Sequence, residues 1–283
     1  HFCVLPLVGS EKHIMPIYLN SPDFEPDSER ESLILIGDDI LADKGVISEG
    51  GINRLILKES VALYDSLVSY LSENGYHKLF LLAKGLKKVP KFEKNFNKKW
   101  FEEEIIESYR EVLKKYAVVE TKIGNQKLFE ENGNTNIIIP KDSNIENLTK
   151  IYDLSTEIFA NKLPIKEVAN DWAELAWKDC GLFKLEDLCK YISEKENISN
   201  LPVSSNQYEW LNSFLLLIKE IEESLLKDFA LVPNRNGDFV SLENEEFAEG
   251  IGLTDYMIEV LNDLGEDLTP LLLNNNITAI NLP

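Results

Sequence analysis

The sequence is poor in the residues from which most enzyme centres are built. Its 283 residues hold three cysteines and three histidines. Cys3, Cys180 and Cys189 form no CxxC pair, and with His1, His13 and His77 for company they offer neither zinc-ligand spacing nor an even disulfide framework. Buried, reduced thiols of a cytoplasmic protein are the simplest use for them. No serine or cysteine stands in evident register with a histidine, so triad chemistry has little support. Closely spaced glycines beside a helix start, which let backbone N–H groups close on a phosphate, are missing as well. Gly50-Gly51 comes nearest and reads as a plain loop. Apolar runs stop well short of the roughly 18 residues of a membrane span. The nearest, residues 214–218, reads as a buried helix face. Basic residues are outnumbered, 29 against 49 acids, for a net charge of −20 that opposes attraction to a phosphate backbone. The expectation is a soluble, cytoplasmic chain with no membrane partner, for which nucleic acid is possible but not favoured.

What is present is enough apolar side chain, 44% of residues, to fill two cores of ordinary size. The chain opens His1-Phe2-Cys3-Val4-Leu5-Pro6-Leu7, an apolar strand-like run without initiator Met or charged leader, and is expected to be a segment of a larger protein. Residues 2–5 and 14–19 alternate as a β-hairpin around Gly9-Ser10-Glu11-Lys12. A Pro-punctuated loop at 21–26 leads to a strand-like 33–36 ending at Gly37. From 53 to 71, Leu55, Leu57, Val61, Leu63, Tyr64, Leu67, Val68 and Leu71 fall largely on a 3.6-residue stripe, predicting an amphipathic helix closed near Asn74-Gly75.

A helix over 100–116 has acids early and bases late, as the helix dipole favours, and runs into a strand at 117–120 and a turn at Gly124. The acidic second half is mainly helical, over about 145–161, 165–177, 185–196, 208–229 and 255–264. The predicted class is α+β: a transducer-like domain over 1–143, with an N-terminal β-hairpin, strands and helices, then a mainly helical domain over 144–283 with a short β-hairpin near 229–242. In that hairpin Asn236-Gly237 is expected to supply the positive φ angles of a type I′ turn.

One pattern recurs. Leu113-Lys114-Lys115-Tyr116-Ala117-Val118-Val119 followed by Gly124 returns as Leu226-Lys227-Asp228-Phe229-Ala230-Leu231-Val232 followed by Gly237. Each copy reads helix, strand, glycine turn, and each follows a helix holding a tryptophan, Trp100 or Trp210. The two halves are expected to share a helix–hairpin building block.

Two features suggest ligands. Residues 84–100 hold seven lysines against one glutamate, with Phe92, Phe96 and Trp100 at four-residue spacing. Lys87, Lys88, Lys91 and Lys94 form a candidate anionic-ligand patch, since aromatics among lysines can stack bases and hold phosphates. The alternative is a helix that docks its aromatics on the core and leaves its lysines wet. Arg30 follows the Pro-rich loop, where a rigid scaffold can aim a guanidinium at a phosphate. A surface ion pair with Glu29 or Glu31 is the plain alternative. Paired acids such as Asp38-Asp39 and the run Glu102-Glu103-Glu104 read as solvated faces or helix-start charges.

The stretches Phe2-Cys3-Val4-Leu5-Pro6-Leu7-Val8-Gly9, Pro16-Ile17-Tyr18-Leu19-Asn20-Ser21-Pro22-Asp23-Phe24 and Glu29-Arg30 resemble the segment after the nucleotide-binding domain of large sacsin-like ATPases. These belong to the GHKL superfamily, with gyrase and the ninety-kilodalton heat-shock chaperone. Val118-Val119-Glu120-Thr121, the helix around Trp210-Leu211-Asn212, and Val232-Pro233-Asn234-Arg235-Asn236-Gly237-Asp238-Phe239 resemble the downstream region of the same bacterial family. The resemblance implies that ATP and Mg are bound by an upstream ATP-binding domain of the same chain and not by these residues. It also implies that this region carries the residue sensing the γ-phosphate. That role falls to Arg30, here between two glutamates where sacsin-like proteins often carry an Arg-Arg pair.

The expected function is a middle, transducer and protein-interaction region of a chaperone-like ATPase acting on an unknown protein client, and not an enzyme by itself. The alternatives are a non-catalytic protein-binding scaffold, and a nucleic-acid-associated defence or repair component using the lysine-rich segment 84–100.

Overall fold

A computed structural model describes residues 15–41, 45–89, 95–243, 247–250 and 253–282. Of the predicted hairpin, residues 2–5 and 14 lie outside them, as do Cys3, His1 and His13, while residues 15–19 are described and form no strand. The class is α+β, with helices joined by short two-stranded ladders. In chain order the first elements are β1 (Ile40–Leu41), β2 (Val46–Ile47) and helix α1 (Glu49–Glu73). Next come the short helix α2 (Lys98–Phe101), a π-helical turn (Glu102–Ile106) and α3 (Glu107–Lys115). Strands β3 (Ala117–Thr121), β4 (Gly124–Lys127) and β5 (Ile138–Pro140) follow, then α4 (Ile145–Phe159), α5 (Lys166–Leu175), β6 (Gly181–Phe183) and α6 (Leu185–Ser193). The rest is α7 (Gln207–Ile221), α8 (Leu225–Asp228), β7 (Val232–Pro233), β8 (Phe239–Val240) and α9 (Asp255–Asp263).

The chain divides into two units, His1–Ile139 with Asn161–Leu182, and Pro140–Ala160 with Phe183–Pro283. The division expected at 143 and 144 falls close to the first crossing. The segment Asn161–Leu182 nevertheless groups with the first unit, because Thr121 bridges Pro164 and the Ile165 N–H donates to Glu120 O at 2.8 Å.

In the first unit the long helix starts earlier than its apolar pattern suggests. Ser48 caps α1 by accepting from Gly51 N at 2.9 Å, and Gly50-Gly51 form its first turn rather than a loop. Both glycines answer close approach: a Cβ on Gly50 would lie 2.6 Å from Ile36 O, and one on Gly51 2.4 Å from Asp39 O. The buried face of α1 is Asn53, Leu57, Ser60, Tyr64 and Val68, whereas Leu55, Leu63 and Leu67 of the predicted stripe are exposed. Two polar residues displace leucines from the core side because each finds partners there. Ser60 Oγ meets Tyr109 OH of α3 at 2.7 Å, and Tyr109 stacks on Tyr64 with centroids 4.4 Å apart. Burial pushes both phenols above their ordinary pKa.

Around this seam the core takes in Ile105, Ile106, Leu113, Val118, Trp172 and Trp177. Arg110 donates from Nε to Leu86 O at 2.9 Å and lies over the Trp177 ring at 5.6 Å.

The second unit packs α4, α6 and α7 around Ile151, Leu188, Leu211, Phe214 and Ile218, with Trp210 stacked on Phe214 at 5.3 Å. The helix expected over 208–229 is two helices. Glu222 leaves the helical region at φ −156, and Ser224 begins the short α8. The hairpin that follows is not a type I′ turn. Of the loop residues only Gly237 has positive φ, at 88°. The turn instead begins at Asn234, whose carbonyl accepts from Gly237 N at 2.9 Å and whose side chain accepts from Asp238 N at 2.9 Å.

Candidate functional site

Arg30 stands at the tip of a short turn built by one carboxylate. Pro26 and Leu33 bridge antiparallel, and Asp27 N donates to Ser32 O at 3.0 Å. Between them the chain reverses: Arg30 N donates to Asp27 O at 3.0 Å, and Arg30 takes the left-handed region at φ 57°. Asp27 Oδ1 accepts from Glu31 N at 2.9 Å and Oδ2 from Ser32 Oγ at 2.8 Å. Burial on its own would raise the Asp27 carboxyl. The bonds from Ser32, the Glu31 amide and Asn95 outweigh it and hold the pKa below its ordinary value.

The strand expected over 33–36 is not formed beyond the Leu33 bridge, because side chains of α1 take its backbone groups. Asn53, fully buried, accepts from Glu25 N at 2.8 Å and donates to Glu25 O at 2.7 Å and Ile34 O at 3.0 Å, clasping both legs of the Arg30 turn. Arg54 donates to Leu35 O at 3.0 Å, Gly37 O at 2.9 Å and Asp39 Oδ1 at 2.7 Å. Asp39 is therefore an ion-pair partner, not merely a solvated acid. Neither Asn53 nor Arg54 stood out as a candidate in the sequence. Their signal was two polar residues heading an apolar helix, and only the fold reveals which backbone they serve.

The lysine patch is only partly described. Lys91 and Lys94 lie outside the described residues. Lys87 Nζ donates to Glu174 O at 2.6 Å, and Lys88 is exposed. Residues 84–100 are not one helix, since α2 begins at Lys98 and Phe96 packs on Phe101 with centroids 5.2 Å apart.

A further polar site was missed in the sequence. Glu120, 8% exposed in β3, is hydrogen-bonded to His77 Nδ1 at 2.8 Å and accepts from Lys78 N at 3.2 Å. Lys78 holds φ 60° to present that amide. The pair lies in an open groove of about 460 Å³ lined also by Ser72, Thr121, Asn125 and Ile165. Its imidazole is 89% exposed, but among the described residues no nucleophile is joined to it: Ser72 Oγ donates to Ala117 O and Thr121 Oγ1 to Gly124 O. The arrangement orients a histidine and ties residues 77–78 to β3. The available signal was a glutamate inside the buried run Val118-Val119-Glu120-Thr121.

No family model, curated protein or solved structure matches the chain. Among the described residues no group of three or more His, Cys, Asp or Glu is placed to hold a metal ion, and no helix is long and apolar enough to cross a membrane. Burial pushes the thiols of Cys180 and Cys189 up to about 12, which suits structural rather than reactive cysteines.

Proposed function

We propose that the chain is a transducer and protein-interaction region of a larger, chaperone-like GHKL ATPase, in which Arg30 senses the terminal phosphate of ATP bound with Mg by an upstream domain. The observation that carries this reading is the clasp on the Arg30 turn. Asn53 holds both legs of the turn against α1, and α1 is seamed to α3 through Ser60, Tyr64 and Tyr109. A guanidinium carried on a turn whose backbone is held this way would act electrostatically, offering positive charge where negative charge develops. Movement of the turn would then pass to α1 through Asn53 and to α3 through the Ser60–Tyr109 contact, which is the coupling a transducer needs.

The test is ATP turnover by the longer chain that carries the nucleotide-binding domain, as wild type and as Arg30→Ala. A phosphate-sensing arginine predicts a fall in kcat of about 10²-fold or more with a smaller change in KM. Unchanged turnover removes Arg30 from the mechanism. That result favours the second reading, a non-catalytic protein-binding scaffold, for which the exposed Leu55, Leu63, Leu67 and Tyr70 along α1 speak. The nucleic-acid reading has only the sequence pattern of lysines and aromatics over 84–100 behind it. Salt-sensitive binding to single-stranded nucleic acid, lost when several of Lys87, Lys88, Lys91 and Lys94 are neutralised, is the result it requires.

A further inference from the structure

Helix α9 is amphipathic, and among the described residues nothing covers its apolar side. Within it only Ile258 is buried, while Tyr256, Met257 and Val260, with Leu264 just beyond its end, are 74%, 49%, 39% and 74% exposed. At 100° per residue these four fall within about one third of the helix circumference. The helix is a defined element all the same. Thr254 caps it by accepting from Met257 N at 3.2 Å, Arg235 Nη1 ties Asp255 to the preceding hairpin at 2.8 Å, and Gly265 ends it at φ 92°.

The internal repeat indicates the shape of what covers such a face. After the first hairpin the chain forms α4 and then reaches Pro164, which bridges Thr121. After the second it forms α9 and then reaches Leu273, which bridges Asn234. By order α9 is the counterpart of α4. The apolar side of α4 is covered by a helix, α7: Trp210 Nε1 donates to Leu154 O at 3.1 Å, Ile151 is buried, and Lys150 pairs with Glu220.

Charge indicates the chemistry. From Asn236 to Pro283 the sequence holds ten acids and no lysine, arginine or histidine. Glu259 and Asp263 flank the apolar stripe and Glu266 and Asp267 follow it, all exposed. An acidic or anionic occupant would meet uncompensated like charge, and a cationic one would be steered in.

We infer that α9 docks a basic amphipathic helix supplied by a partner protein, which lays its apolar face on Tyr256, Met257, Val260 and Leu264 and its lysines or arginines against Glu259 and Asp263. This goes beyond the transducer reading and stands whether or not Arg30 meets a nucleotide.

The probe is a synthetic amphipathic helix of leucine and lysine, about five turns long. It is titrated into the full chain beside a leucine–glutamate counterpart and a leucine–lysine peptide of the same composition with its stripe scrambled. The basic amphipathic peptide is expected to bind, more weakly as salt rises, and the other two to fail. Val260→Asp is expected to weaken binding at least about tenfold. Tyr256→Ser, at a position exposed enough to leave folding alone, serves as a second variant and is expected to weaken it in the same direction. Circular dichroism and thermal melts check that both variants keep the fold. Binding of the acidic or scrambled peptide as tight as that of the basic one, or binding indifferent to both substitutions, overturns the proposal. So does sedimentation showing a dimer that Val260→Asp dissociates, since a second copy would then be the occupant.

Discussion

The two helix–hairpin units share a backbone frame and differ in what they do with it. In each, a buried leucine at the helix end (Leu113, Leu226) precedes a buried valine on the first strand (Val119, Val232) and a positive-φ glycine in the turn (Gly124 at 100°, Gly237 at 88°). In each, a later segment returns to the same place. Ile165 N donates to Glu120 O at 2.8 Å, and Asn274 N to Pro233 O at 3.0 Å. The side chains at those two positions set the units apart. Glu120 reaches out to hold His77 and Lys78, whereas Pro233 has no N–H to offer and no charge. At the next position Thr121 closes a tight turn through Gly124 O, while the amide of Asn234 braces a longer one through Asp238 N. The frame recurs, and the residues just before the turn decide whether it presents a polar group or seals itself.

If the frames are equivalent, matched truncations should cost alike. Leu113→Ala and Leu226→Ala remove fully buried side chains and are each expected to cost about 2–5 kcal/mol. Denaturant titration measures the cost, and hydrogen exchange locates it in the first or second unit. A loss under about 1 kcal/mol at either position would break the equivalence. Asn234→Ala should be felt next, by about 1–3 kcal/mol, because the Asp238 N–H loses its acceptor beside a buried residue. Thr121→Ala should cost about 1 kcal/mol, since its hydroxyl donates to Gly124 O and accepts a long bond from Ile123 N at the edge of a groove, where water can replace both. Equal costs would mean that the two turns are braced alike after all.

The turn glycines sharpen the comparison further. An alanine at either φ is strained by about 1–2 kcal/mol. A Cβ at Gly124 would meet nothing within 4 Å, while one at Gly237 would lie 3.1 Å from Ile198 Cγ2 and 3.2 Å from Asn197. Gly237→Ala should therefore melt lower than Gly124→Ala.

Much of this frame was legible in the sequence, because it rests on local rules. The helical reading of the second half anticipated α4 to α7 and α9, and the repeated Leu–Val–Gly spacing marked both hairpins. What was not legible was every feature set by distant backbone. Gly50-Gly51 looked like a loop because the carbonyls of Ile36 and Asp39 that crowd them are invisible from composition. Residues 33–36 looked like a strand because nothing in them tells that Asn53 and Arg54 will take their carbonyls. The α1 stripe was misjudged because Asn53 and Ser60 displace leucines from the core side, and polar residues win such places only when partners await them. Of the candidate site, Arg30 was legible through its Pro-rich approach, but its clasp was not. The Glu120–His77 pair joins residues 43 positions apart and had no local signal beyond a glutamate in an apolar run.

The smallest effect separates the units by acid. The Arg30 turn of the first unit is organised by a carboxylate, whereas the β7–β8 turn of the second is braced by an amide that does not titrate. Asp27 has a folded pKa below its ordinary value, so its contribution is fully present above the unfolded carboxylate range and is lost as pH falls through the folded value. On acidification the Glu31 amide, which donates to Asp27 Oδ1, should shift first in heteronuclear NMR spectra while the side-chain amide of Asn234, which donates to Pro270 O, stays in place. Asp27→Asn should abolish that titration and, with the group largely solvated, change global stability little. If both amides move together, acid acts on the whole fold and the carboxylate brace is not a local device. If only Glu31 moves, the presentation of Arg30 is itself pH-dependent, and its loss at low pH should mirror the effect of breaking the Asn53 clasp.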